Sequence, residues 1–191
     1  MCVHEGNPLG DDGSGPSVAQ WDAMTEQEAL EMLRADDPAS VAQAEAELWA
    51  MWCRSGVPEI DALLRNGVQA MERHDLGEAE RCFAGMIAQA SWFAEGWNKR
   101  ATARYLAGNY DGAIADCRET LQRKPHHFGA LSGQGLCHMA LGQYHEAADM
   151  FRRTLGVHPH LEAARGNLAR ALAAAMRSNG HQASGSRPQA M

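Results

Sequence analysis

Residues 94–125, AEGWNKRATARYLAGNYDGAIADCRETLQRKP, and residues 128–159, FGALSGQGLCHMALGQYHEAADMFRRTLGVHP, are two copies of one pattern. Laid one over the other, Gly108 meets Gly142, Tyr110 meets Tyr144, Ala113 meets Ala147, Leu121 meets Leu155 and Pro125 meets Pro159. Each pair is 34 residues apart, as 142 minus 108 gives. One more step back yields a weaker third copy, with Gly67 under Ala101, Leu76 under Tyr110, Ala79 under Ala113 and Ile87 under Leu121. A unit this short cannot bury its own apolar face, so a fixed period of this kind means that neighbouring units stack.

The spacing predicts three blocks, 60–93, 94–127 and 128–161, each with an A helix and an antiparallel B helix. The A-to-B turns carry His74-Asp75, Gly108-Asn109 and Gly142-Gln143. Glycine there supplies the left-handed conformation that ends a helix, which His adopts less readily. Pro125 and Pro159 end two of the B helices. Ser91 stands in that place in the first block, so its B helix is expected to run on. Gly67, Ala101 and Gly135 are expected to face Ala79, Ala113 and Ala147 at close helix crossings. Phe83, Trp97, Tyr110, Tyr144 and Phe151 then fill the space between layers. Cys82, Cys117 and Cys137 read as small buried hydrophobes.

Outside the blocks, residues 1–17 are rich in Gly, Pro, Asp and Ser and read as disordered. Within 18–57, Thr25-Glu26-Gln27-Glu28 has capping-box spacing for a first helix. Asp37-Pro38 then opens a second helix to Cys53. Its apolar face, with Val41, Leu48, Met51 and Trp52, is expected to cap the solenoid by packing on the first repeat. The repeat region, 58–178, closes with a capping helix over 162–178 bearing Ala164, Leu168 and Leu172. Asn179-Gly180 is expected to end that helix and leave 179–191 as a disordered tail.

Net charge is −7 with a pI near 5.7, which disfavours a nucleic-acid surface. The charge is uneven: residues 1–57 hold eleven acidic and two basic residues, and the remainder is close to neutral. Five cysteines without a CxxC pair fit a reducing compartment, and the chain reads as cytoplasmic. No apolar run reaches the length of a membrane span, and the first residues do not read as a secretory signal. His126, His127, His158 and His160 fall in inter-repeat turns and read as solvated, adventitious metal binding being the sharper reading. His145-Glu146-x-x-Asp149 lacks the second histidine of a zinc-protease helix. Gly133-x-Gly135 lacks the strand and third glycine of a dinucleotide loop. No enzyme, cofactor or metal function is expected.

The period, the small residues and the closing prolines resemble the tetratricopeptide repeat (TPR) family. The WNKRAT and HFGALSG segments are similar to those of small TPR proteins of plants and bacteria. The resemblance implies an all-α, right-handed superhelical solenoid whose A helices line a concave groove. It also implies ligand-facing places in each repeat: Asp61, Leu64, Val68, Met71 and Glu72; Glu95, Asn98, Thr102, Tyr105 and Leu106; Gly129, Ser132, Leu136, Met139 and Ala140. Of these, Leu64, Val68, Met71, Asn98, Thr102, Tyr105, Leu106, Ser132, Leu136 and Met139 are the expected peptide-binding groove. Asn98 is expected to meet a peptide backbone, and Lys99 and Arg100 an acidic partner residue. The implied function is a protein-binding adaptor for a peptide or helix. WNKRA followed by ADC is also similar to TPR co-chaperones that grip a C-terminal carboxylate. The residues that such a clamp requires are replaced by Leu64, Val68, Lys99, Gly129 and Gly133. A self-associating scaffold, and so a homo-oligomer, is the remaining alternative.

Overall fold

The computed structural model describes residues 24–184. Among the described residues there are nine helices and no strand. They are α1 (Glu26–Met32), α2 (Pro38–Trp52), α3 (Pro58–Glu72), α4 (Leu76–Gln89), α5 (Ala94–Leu106), α6 (Tyr110–Arg123), α7 (Phe128–Ala140), α8 (Tyr144–Val157) and α9 (Glu162–Ser184). The expected stretch 1–17, and residues 185–191 of the expected tail 179–191, lie outside the described residues. No helix among those described is long and apolar enough to cross a membrane.

Helices α3 to α8 form three antiparallel pairs in 34-residue register, stacked one on the next as an all-α solenoid. The turns follow the expected chemistry. His74, Gly108 and Gly142 all have positive φ, at 60°, 80° and 71°. Asp75 and Asn109 cap the helices that follow, accepting from the backbone N–H of Glu78 and Gly112.

Size complementarity sets the spacing within each pair: Ala101 and Ala113 share one cluster as expected, and the glycines of the other two pairs also face a ring. A Cβ placed on Gly67 would lie 2.3 Å from Phe83 Cε1, and one on Gly135 would lie 2.7 Å from Phe151 Cε1. The glycines therefore accommodate Phe83 and Phe151, residues four beyond Ala79 and Ala147 and one turn further along the B helix. In the second pair, Ala101 and Cys117 share one cluster, so both partners change size together.

The first B helix does not run on. It ends at Gln89 with Ala90 as C-cap, in register with the other two. The chain turns there because Phe93 is buried in the core of the first repeat. The Ser91 carbonyl left over accepts from Trp97 Nε1 at 3.0 Å and from Arg123 Nε at 2.6 Å.

Both flanks differ from expectation. Thr25 and Glu28 form the capping box, and Asp37 caps α2 with Pro38 in the first turn. But α2 does not cap the first repeat. The α1–α2 hairpin packs Ala29, Leu33, Val41, Ala44, Leu48 and Trp52 into one cluster with Phe128, Val157 and Leu161, at the turns flanking the third repeat. Two tryptophans on one helix require a deep apolar acceptor, and His127-Phe128-Gly129 provides it. At the other end α9 covers Ala147, Ala148 and Phe151 with Leu168, Ala171 and Leu172, closing the exposed end of the stack. It runs through Asn179-Gly180 to Ser184, past the expected stop, since glycine in a helix costs only about 1 kcal/mol against alanine.

Candidate functional site

The A helices α3, α5 and α7 present one face of the solenoid, and α2 lies against it. Trp49 rests on Gly129: a Cβ there would come within 2.7 Å of Trp49 Cη2. The same ring meets Phe128 edge-on at 5.4 Å, and Lys99 Nζ lies 5.6 Å from its centroid. Trp52 stacks on the His127 imidazole, with centroids 4.2 Å apart.

Between α2, α5 and α7 this arrangement leaves a cavity of about 430 Å³. Its deepest part is lined by Ala101, Cys117 and Cys137, and its sides by Trp49, Tyr105, Phe128 and Leu136. Cys117 occupies the register that holds phenylalanine in the other two repeats, so the second repeat leaves room where the others are filled. Two more open hollows, the first larger at about 700 Å³, continue along the face over Leu64 and Val68, and over Val68, Met71 and Leu106.

Nine of the ten expected groove residues line these hollows. Asn98, Tyr105, Ser132 and Leu136 line the cavity, Thr102 and Leu106 bridge it to the third hollow, and Leu64, Val68 and Met71 lie beyond. Met139 lines none of them and, with Leu136, packs against the cluster formed by α8 and α9. Glu45, Trp49, Cys117 and Cys137 also line the cavity, and the register reading missed them.

A buried polar cluster fixes the floor next to the cavity. Glu95 is only 1% exposed. Its carboxylate sits 3.0 Å from His127 Nε2 and 3.1 Å from Lys99 Nζ, and it accepts from Asn98 Nδ2 at 3.2 Å. The backbone N–H of Ala130 donates to His127 Nδ1 at 3.1 Å, which places the ring proton on Nε2, facing Glu95. Burial opposes ionisation of Glu95, but the bonds from His127 and the Lys99 charge outweigh it and hold the carboxyl below its usual range. The Asn98 amide nitrogen is thus already engaged, although the residue lines the cavity. Lys99 is likewise paired rather than free.

Arg100 does not reach the groove edge. It makes two bonds to the buried Asp116, of 2.9 and 2.8 Å, and Arg104 adds a third at 2.9 Å. The WNKRA…ADC pattern therefore records a structural tie between α5 and α6.

Two of the four turn histidines are buried, which corrects their reading as solvated. His127 caps α7, and His158, 2% exposed, lies 3.4 Å from Glu45 and edge-on to Phe128. Among the described residues no group of three His, Cys, Asp or Glu side chains is placed to hold a metal ion. The thiols bordering the cavity are poor nucleophiles. Burial pushes Cys137 up to about 11, and burial together with the nearby Cys137 pushes Cys117 up as well.

Stacked helix pairs with an open A-helix face define a helical-repeat solenoid. The chain belongs to the tetratricopeptide repeat family, whose sequence model matches residues 64–128 and 132–180. A TPR repeat-containing protein of Rhizobium etli is 30% identical over 129 residues, covering 68% of this chain and 63% of the relative. The chain thus spans somewhat less than two thirds of that relative's length. Among solved structures, the first TPR domain of human RPAP3 superposes with a TM-score of 0.62 at 20% identity, over 64% of this chain and 96% of that one. The Sgt2 TPR domain of Aspergillus fumigatus gives 0.60 at 21%, over 71% and 88%. The first TPR of Spaghetti (RPAP3), bound to the HSP90 peptide SRMEEVD, gives 0.61 at 20%, over 62% and 94%.

Proposed function

We propose that this chain is a non-enzymatic adaptor that holds a segment of a partner protein on the face formed by α3, α5 and α7, beside α2. The observation that carries this reading is the cavity of about 430 Å³ between α2, α5 and α7. It is apolar at its base and has Ser132 and the Asn98 and Thr102 oxygens at its sides, the Asn98 amide nitrogen and the Thr102 hydroxyl proton being already bonded, a pattern suited to one or two apolar side chains and a few bonds from a peptide backbone. Leu106, 54% exposed, extends the apolar surface outward. The segment need not resemble SRMEEVD. Leu64, Val68, Gly129 and Gly133 offer no side-chain donors to a terminal carboxylate, and Trp49 covers Gly129.

The test is affinity purification with the wild-type chain and with Thr102→Trp, which fills the cavity mouth from an exposed position. Partners held on this face are expected to be lost from the variant while its helical spectrum and melting temperature stay unchanged. Recovery of the same partners by both would move the binding surface elsewhere.

A further inference from the structure

The cavity has a charge bias that its apolar lining makes consequential. Glu45 is its lone carboxylate, and no Lys, Arg or His side chain lines it. The Glu45 side chain is 39% exposed, and its contact with His158 Nε2 is long, at 3.4 Å. Glu45 stands between this cavity and the hollow that holds His158, and its half-exposed carboxylate keeps accepting capacity beyond that one long contact. The wall that carries it adds to the bias. Helix α2 holds Glu45 and Glu47 and no basic residue, and the cations of this face, Arg54, Arg65 and Lys99, line the adjoining hollow instead. Lys99, on the floor beside the cavity, is already bound to Glu95. A ligand carboxylate at this rim would meet like charge beside a low-dielectric surface, whereas a cation would find an acceptor.

We infer that the occupant is a basic amphipathic segment of a partner protein, with a bulky apolar side chain in the cavity and a lysine or arginine within one helical turn of it meeting Glu45. The inference rests on the groove-binding reading above and adds the charge of the ligand. It sets this chain apart from its structural neighbour bound to SRMEEVD, whose peptide is acidic at its end. Depth comes from Cys117 standing in for phenylalanine, and charge selection from the N-terminal hairpin, so the two parts of the site derive from different segments of the chain.

The test uses the full chain and two synthetic helical peptides with the same apolar face of Phe and Leu, one flanked by lysines and the other by glutamates. Binding is read from intrinsic tryptophan fluorescence and peptide anisotropy. The lysine peptide is expected to bind about ten-fold tighter than the glutamate peptide. Glu45→Gln is expected to remove most of that preference, and Glu47→Gln, one exposed charge on the same helix, to leave it in place. Thr102→Trp is expected to abolish binding of both. Equal or tighter binding of the glutamate peptide overturns the inference. So does a preference that Glu45→Gln leaves intact or that Glu47→Gln reduces equally, since general attraction to an acidic protein then explains it. Failure of both peptides to bind overturns it too. Binding that survives Thr102→Trp is a different failure, since it removes the groove reading on which the inference rests.

Discussion

Gly67→Ala separates packing from helix propensity, because the two predict opposite signs. Propensity alone favours alanine in a helix interior by about 1 kcal/mol. The structure opposes it. The new Cβ would stand 2.3, 2.7 and 2.9 Å from three carbons of the Phe83 ring, where carbons in contact prefer about 3.5–4.0 Å. The ring is fully buried, so it cannot swing into solvent, and α3 and α4 must separate. Overpacking of this kind costs about 1–3 kcal/mol and more where relief needs backbone movement, which gives a net loss near 2 kcal/mol. Against a typical stability of about 5–15 kcal/mol that is a large fraction. Urea unfolding followed by helical circular dichroism reads it as a lower midpoint with unchanged slope. The second repeat supplies the compensating change, since Ala101 pairs there with Cys117. Phe83→Cys alone is expected to cost about 3 kcal/mol. Gly67→Ala/Phe83→Cys is expected to cost at least about 1 kcal/mol less than the sum of the single changes. Gly67→Ala equal to or more stable than wild type, or strictly additive effects, would refute the reasoning.

Three further outcomes follow from the same contacts. Glu95→Gln breaks a buried, fully bonded ionic cluster and is expected to destabilise by about 3 kcal/mol in the same urea assay. Because the Glu95 carboxyl is held below its usual range in the folded chain, the stability it contributes is present above its unfolded value, near 4.3, and is lost as pH falls below that. The wild-type midpoint should therefore drop more steeply in that acid range than the midpoint of Glu95→Gln. Deleting residues 162–191 strips Leu168, Ala171 and Leu172 from Phe151 and is expected to give aggregation on light scattering, with a monomeric, stable product contradicting it. Native Cys117 and Cys137 should resist a thiol reagent at neutral pH and react only on unfolding, and prompt native labelling of either would contradict their burial.

The period made the solenoid legible because stacking requires the same residue types at the same place in every unit. His74 in the left-handed turn, the capping box at Thr25 and Glu28, and the Asp37-Pro38 start were readable for a similar reason, since each is settled by its immediate neighbours. The docking of α2 was not. Its spacing reveals an apolar face but not the surface that the face seeks, and Trp49 found its place through the missing side chain of Gly129, 80 residues away by subtraction. Some signals were present and unused. His127 stands in register with Phe93 and Leu161, two apolar residues, which marks a position that the fold buries. Phe83, Cys117 and Phe151 share a register opposite Gly67, Ala101 and Gly135, so the compensation in size was written in the internal copies. The cavity follows from that exchange together with the α2 wall, which explains why nine expected groove residues lie on the face while Trp49 and Glu45 were missed. Glu95 carried only its (i, i+4) spacing to Lys99, too weak a signal to foretell burial against His127.

Where a partner segment lies is tested most directly by photo-crosslinking. A photoreactive amino acid placed at Thr102, on the cavity rim, is compared with one at Asp149, exposed on α8. Irradiation in cell extract is expected to yield discrete adducts of one or a few proteins from position 102, suppressed by excess unlabelled wild-type chain. No such adducts are expected from position 149. Adducts from position 149 with none from position 102 would contradict the assignment of binding to the face between α2, α5 and α7.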